Sequence, residues 1–279
     1  MNYAMITPVK NEAKYIRQTI ESVIAQTLKP ELWVIIDGGS TDKTRDIVKE
    51  YREKYPWIVL RHELRFSGKC SHLNVSYAMD EAYDYIRSSG APFDYLWTID
   101  GDQTLEPGVC AGVIREIEKD SSLGVASGQV YNGTIPDVYP RGELPNKRVY
   151  RRTALDEIMG FPTTKYSFDT VILAKLRIRN WGITTFPEYR ITNLRADSGI
   201  ERNAWKAYIQ FGKARYYLGY SFSLLVAGCG YLVLQFKVLK SIGIFCGWME
   251  SWICRDEIIT DKEIRDHFHY DRLKEVLIP

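Results

Sequence analysis

Apolar and polar positions alternate between two periods along the N-terminal third of the chain. Residues 3–7 form a short apolar run, Pro8 interrupts it, and Ala13, Ile16, Ile20, Val23 and Ile24 then recur on one helical face. Asn11 stands where a side-chain oxygen can cap that helix. The succession repeats with an apolar run at 32–36, a Gly-Gly-Ser-Thr turn, and a helix from about Asp42 that turns Ile47, Val48 and Tyr51 inward. A third unit runs from a strand at 58–60 through a polar loop to a helix over 71–86, and a fourth strand covers 93–99. Repeated βα units predict an α/β fold with a mainly parallel central sheet flanked by helices.

Ligands of such sheets bind beyond the carboxyl ends of the strands. The polar motifs fall there: residues 8–12 after the first strand, 37–42 after the second, and 100–102 after the fourth. Beyond Gly124 the pattern loosens into a short strand to Tyr131, a Pro- and Gly-containing loop to Pro145 and a helix near 153–159. After Phe186 the chain reads as aromatic and helical to its end. The expected organisation is a catalytic domain over 1–200, divided into a nucleotide-binding half (1–104) and an acceptor half (105–200), followed by a helical region over 201–279.

Asp100-Gly101-Asp102 delivers two carboxylates on a tight turn after an apolar strand. Hard divalent cations prefer such oxygens, and Mg²⁺ commonly takes one or two carboxylates and completes its shell with water and substrate phosphates. A solvated turn uses the same residues, and only the position after a buried strand favours the metal. In Asp37-Gly38-Gly39-Ser40-Thr41-Asp42 the glycines admit close approach of a ligand, and the helix that follows favours anions at its N-terminus. Asp37, at the strand end, is placed on the base or ribose of a nucleotide. A plain strand-to-helix turn would also use these residues.

Five sequences in order carry a family resemblance: T-P-V-K-N-E (7–12), I-D-G-G-S-T-D-K-T (36–44), G-K-C-S-H-L-N (68–74), T-I-D-G-D (98–102) and R-R-T-A-L-D-E-I-M-G-F (151–161). Together they resemble the family-2 glycosyltransferases, of the glycosyltransferase A fold. The resemblance implies an inverting transfer of a sugar from a UDP- or GDP-linked donor, with Mn²⁺ or Mg²⁺ as cofactor. It implies that Pro8, Val9, Asn11 and Glu12 line the nucleotide pocket with Asp37, Gly39 and Ser40, and that Asp100, Gly101 and Asp102 serve the nucleotide sugar and the metal. Asp102 is the direct ligand, assisted by Asp100. Asp169, beyond the G-F element, takes the place of the family's catalytic base. Its alternative role is that of a helix cap. Lys69 would assist the departing diphosphate, and Asn74 would contact the nucleotide or bond its own backbone.

The chain departs from the family pattern at three places. Lys10 stands where many relatives carry a stacking tyrosine, Gly38 replaces a second aspartate, and Phe168 rather than glutamate precedes Asp169. A nucleotidyltransferase would ordinarily need a glycine-rich phosphate loop after the first strand, and residues 7–12 contain no glycine. A non-catalytic sugar-nucleotide scaffold is the remaining alternative.

Lys and Arg total 37 against 35 Asp and Glu, a net charge of +2 that provides no global field for nucleic acid. The five cysteines are widely spaced without a C-x-x-C pair, and the N-terminus has no charged-then-apolar leader pattern. Both fit a cytoplasmic setting. Residues 216–236 carry no charge, with Lys206, Lys213 and Arg215 before them and Lys237 and Lys240 after. The stretch is expected to lie at a membrane surface on the cytoplasmic face, to form a buried helical pair or homodimer contact, or to span the bilayer. The acceptor is correspondingly a soluble glycan or a polyprenyl-linked one.

Overall fold

The computed structural model describes residues 1–62, 71–137, 144, 147–195 and 204–271, with side chains for all of these except 71–74, 270 and 271. The chain divides into two compact units, Met1–Ala196 and Asp197–Pro279.

The first unit is built on a nine-stranded sheet in the order β3-β2-β1-β4-β8-β6-β9-β5, with β7 (Ile135–Pro136) paired to β6. Four strands, β1 (Tyr3–Val9), β2 (Leu32–Asp37), β3 (Ile58–His62) and β4 (Tyr95–Thr98), are mutually parallel, as the βα succession predicts. Beyond β4 the sheet becomes mixed. The strand β8 (Arg148–Arg151) pairs antiparallel with β4 and with β6 (Leu123–Asn132), and β9 (Gly182–Asn193) runs parallel to β6 with two register shifts.

Period-two alternation sorts the strand side chains into two cores, one on each face. Tyr3 and Met5 of β1, Trp33 and Ile35 of β2 and Trp97 of β4 meet α1 (Ile16–Ile24), α2 (Thr44–Arg52) and α4 (Val109–Lys119). Ala4, Ile6, Val34, Ile36 and Leu96 point the other way, against α3 (Ser71–Ser88), α5 (Arg152–Glu157) and α6 (Phe168–Ile178). Continuous apolar runs are what a strand covered on both faces requires.

Two sequence expectations are corrected. The first helix begins at Ile16, so Asn11 is not its cap. Helical structure does not begin after Phe186, because β9 continues to Asn193 and returns to pair with β5 (Gln103–Leu105). The polar Thr-Asn-rich end of β9 hid that pairing from a hydrophobicity reading.

In the second unit α7 (Ala204–Tyr217), α8 (Phe222–Leu234), α9 (Val238–Cys254) and α10 (Lys262–Asp266) are followed by a π-helical turn, His267–Asp271. Glycine sets how closely α7 and α9 approach: a Cβ at Gly212 would overlap the Ile244 carbonyl oxygen, and one at Gly247 would overlap that of Ile209. Residues 216–236 are thus divided between the end of α7, a turn and α8, and among the described residues no helix is long and apolar enough to cross a membrane.

Candidate functional site

The ends of β1 and β2 are register partners, Val9 opposite Asp37, so the loops that follow leave the sheet side by side. Side chains fasten one loop to the other. The Asn11 amide donates to Ser40 Oγ (2.9 Å), the Thr41 amide to Asn11 Oδ1 (2.8 Å), the Glu12 amide to Thr44 Oγ1 (2.8 Å) and the Ala13 amide to Asp42 Oδ2 (3.0 Å). Asn11 is left-handed (φ 56°), a conformation asparagine tolerates better than most residues. Its side chain reaches the second loop, and the Glu12 carbonyl accepts the Tyr15 and Ile16 amides instead.

Asp37 is 1% exposed and fully engaged. Its carboxylate accepts the Gly39 and Ser40 amides and the Arg45 Nε (2.5 Å), with His62 Nδ1 at 3.5 Å. Burial works against its ionisation, but the hydrogen bonds from Ser40 and Arg45 outweigh it and hold the carboxyl below the usual aspartate range. Arg45 also reaches His62 Nδ1 at 2.8 Å, so the more exposed groups at this turn are a guanidinium and an imidazole.

The Asp100-Gly101-Asp102 turn follows β4 and is held from below by Gln103. Its side chain accepts the Asp100 amide (3.0 Å) and donates to Asp100 Oδ2 (3.2 Å) and Asn193 Oδ1 (2.8 Å). Gly101 fits where a Cβ would come within 2.9 Å of Val9 Cγ1 and 3.1 Å of Glu12 Cγ. The two carboxylates face different cations. Asp100 Oδ2 lies 3.3 Å from Lys147 Nζ, and Asp102 Oδ2 accepts Arg195 Nε at 2.9 Å. The same guanidinium gives Nη2 to both Glu12 oxygens at 2.7 Å. Burial raises the Glu12 carboxyl above its ordinary value, Asp102 and Asp100 add to the rise, and Arg195 opposes it. Partial burial acts against the Arg195 charge, yet the two carboxylates more than compensate and hold it protonated.

Asp169 lies in the first turn of α6, after the left-handed Ser167 (φ 50°). Arg148, almost wholly buried, donates to the Asp169 carbonyl (3.1 Å) and the Leu144 carbonyl (2.8 Å), and its Nη2 is 4.0 Å from Asp169 Oδ2. Asp169 and Asp100 line one small cavity of about 50 Å³ together with Pro8, Thr98 and Arg148. Residues far apart in sequence, Pro8, Asp100 and Asp169, therefore share one space. Lys69 and the Asn74 side chain lie outside the described residues.

Among the described residues no three His, Cys, Asp or Glu side chains cluster into a ready-made metal cage. The donor set nevertheless fits a hard cation that takes few protein ligands: Asp102 and Glu12 are carboxylates brought together around a positive charge, with a guanidinium between them. The carboxylate turn in the sequence points to Asp102, and the family resemblance to Glu12 as a nucleotide-pocket residue, but neither points to the basic residues Lys147 and Arg148, which no motif flags. Arg148 is a charged residue within a strand at the middle of the sheet, and only the pairing of β8 with β4 shows what it supports.

A mannosyltransferase from Pyrobaculum calidifontis, in complex with GDP-Man and Mn²⁺, superposes with a TM-score of 0.58 at 15% identity, over 90% of this chain and 75% of that one. S. aureus TarS 1-349, in complex with UDP-GlcNAc, gives a TM-score of 0.54 at 18% identity over 77% of this chain and 66% of that one. At these identities the likeness is one of fold. In sequence, a poly-beta-1,6-N-acetyl-D-glucosamine synthase of Staphylococcus epidermidis is 23% identical over 118 residues, 42% of this chain and 26% of the relative. A probable glycosyltransferase, YdaM of Bacillus subtilis, is 26% identical over 131 residues, 45% and 29% respectively. The chain thus matches less than a third of the length of either curated relative. The model of glycosyl transferase family 2 matches residues 4–175, from β1 into α6, which takes in Glu12, Asp37, Asp100, Asp102 and Asp169 but stops short of Arg195, and the chain belongs to that family.

Proposed function

We propose that this chain transfers a hexose from a nucleotide diphosphate sugar, UDP- or GDP-linked, to a glycan or lipid-linked acceptor hydroxyl, with inversion at the anomeric carbon. The observation that carries the reading is the shared cavity of Asp100 and Asp169 beside the Asp102–Arg195–Glu12 cluster. The solved relatives with bound UDP-GlcNAc and GDP-Man support the donor class, and the Mn²⁺ in one of them supports a metal.

In this reading Asp102, with Asp100 beside it and Glu12 across the Arg195 guanidinium, would hold a divalent cation that serves the donor diphosphate. The cation, when bound, neutralises charge growing on the leaving group. The loops after β1 and β2 hold the nucleotide: Pro8, Val9, Gly39 and Ser40 supply the walls. Asp37 fixes the loop amides and Arg45, and through Arg45 and His62 it shapes the end that meets the base. Asp169 accepts the proton of the acceptor hydroxyl as that oxygen attacks the anomeric carbon from the side opposite the departing diphosphate. Arg148 fixes Asp169 through its backbone carbonyl, and such support lets a base keep its aim.

The test is a donor-turnover assay with UDP- and GDP-hexoses and candidate acceptors, reading nucleoside diphosphate release and the anomeric configuration of the product by proton NMR. The reading expects inverted product, and expects Asp169→Asn to abolish transfer while retaining donor binding. Retained configuration, or full turnover by Asp169→Asn, contradicts it. If Asp102→Ala and Asp169→Ala both preserved the biological activity, the scaffold alternative would replace it.

A further inference from the structure

The apolar surface of the second unit is out of proportion to its size. Among the described residues nineteen large hydrophobic side chains are exposed, and fifteen of them fall between Trp205 and Ile258. Scattered exposed apolar residues need no explanation, but a concentrated set marks a contact surface. Exposure peaks where α8 turns into α9: Leu234 is 80% exposed, Phe236 95% and Leu239 70%. Phe236 is left-handed (φ 59°), an unusual conformation for an aromatic residue, and its ring is the most exposed of the large apolar side chains among the described residues. Along the sides of the hairpin, Gly228 and Gly230 open onto empty space.

Charge identifies the partner. From Ala204 through Cys254 the chain has five basic residues and one acidic residue, Glu250, which is already paired with Lys213. Lys237 is exposed within the apolar turn, and Lys240, in the first turn of α9, lies half-buried with its ammonium 5.7 Å from the centre of the Phe211 ring. Apolar side chains at a projecting turn, interleaved with cations, are complementary to a lipid surface whose headgroups are anionic. Among the described residues no helix is long and apolar enough to cross a membrane, and a projecting apolar turn of this length matches the interfacial layer.

We propose that the α8–α9 hairpin end, Leu234 to Leu239 with Lys237 and Lys240, docks this protein on an anionic bilayer surface. The long lysine side chains keep their ammonium groups at the headgroups while Leu234, Phe236 and Leu239 enter the acyl boundary. This inference stands apart from the donor chemistry and survives or fails without it.

The test uses the full chain in co-sedimentation with phosphatidylcholine vesicles, with and without phosphatidylglycerol. Binding is expected on the vesicles containing phosphatidylglycerol, weakening as salt is raised. Phe236→Asp with Leu239→Asp should weaken partitioning at least about tenfold, since each side chain loses its transfer into the acyl boundary. Lys237→Glu with Lys240→Glu should abolish the preference for anionic vesicles. The milder pair Leu234→Gln and Phe236→Gln guards against misfolding, and circular dichroism should match the unaltered protein in all variants. No binding to either vesicle, or binding that these variants leave unchanged, overturns the proposal. So does a dimer in sedimentation velocity that the same substitutions dissociate, because the surface would then be covered by a second copy. Calorimetric binding of UDP or GDP to the same variants reports the donor site separately.

Discussion

Removing the Arg195 guanidinium should make the site bind a divalent cation more tightly in the absence of nucleotide. Arg195 bridges Asp102 at 2.9 Å and both Glu12 oxygens at 2.7 Å, so a cation entering between those carboxylates must displace it. Arg195 is 44% exposed while the Glu12 and Asp102 side chains are 16% and 19% exposed, which places the pair between surface and interior. Exposed ion pairs are worth about 0.2–1 kcal/mol each, and two charge-assisted contacts to partly buried acceptors bring the displacement cost to about 1–2 kcal/mol. That corresponds to about 5–30-fold in affinity. Arg195→Ala should therefore tighten Mn²⁺ binding by about that factor, read by electron paramagnetic resonance of free Mn²⁺ without nucleotide. Adding Asp102→Ala should cancel the gain, because the two changes act on one contact. Unchanged or weaker Mn²⁺ binding by Arg195→Ala would refute the reasoning and return Arg195 to a structural ion pair.

Three further outcomes follow from the site. Gly101→Ala should weaken metal-dependent donor binding in calorimetry and lower stability by about 1–3 kcal/mol, because its Cβ would press on Val9 and Glu12. Arg148→Met, at the same approximate volume, should destabilise the protein by about 1–3 kcal/mol in urea denaturation by leaving the Leu144 carbonyl without its guanidinium donor and removing the clamp on the Asp169 carbonyl, and should lower kcat more than it changes the KM for donor. Asp37 binds its proton less readily in the folded chain than in the unfolded one, whose aspartate pKa is about 3.9. Its contribution to stability is accordingly complete above that value and is lost as the pH falls through its lower native value. Asp37→Asn should cost most near neutrality, with the gap from the unaltered protein closing in denaturation measured under acid conditions.

The parallel half of the fold is legible in the sequence because its strands are covered on both faces. A run such as Leu-Trp-Val-Ile-Ile at 32–36, short, rich in β-branched residues and followed by Asp-Gly-Gly, reads as a buried strand, and the alternation of Tyr3 and Met5 against Ala4 and Ile6 divides a neighbouring strand between two cores. The mixed half is less legible. The strand β8 carries Arg148 and Arg151 among four residues, and hydrophobicity alone hides a strand whose guanidiniums are satisfied by carbonyls of neighbouring elements. Carboxylates at strand ends reveal themselves through the turn residues around them, as with Asp37 and Asp100. Two of the cations that accompany them do not. Lys147 and Arg148 reach the site from a distant segment, and only the return of β8 through the sheet brings them there. Asn11 shows a further limit: a residue suited to capping its own helix instead fastened a loop thirty residues away, since an asparagine side chain serves either purpose.

The central claim is that Asp102 and its neighbours form a metal-dependent donor site. Calorimetric titration of UDP and GDP, then of their hexose conjugates, with and without Mn²⁺, on the unaltered protein and on Asp102→Ala, tests it most directly. The account predicts binding of one of the two nucleotides that requires Mn²⁺ and disappears in Asp102→Ala while thermal stability is kept. Nucleotide binding that is equally strong without metal and in Asp102→Ala, or no binding under any metal condition, would contradict it.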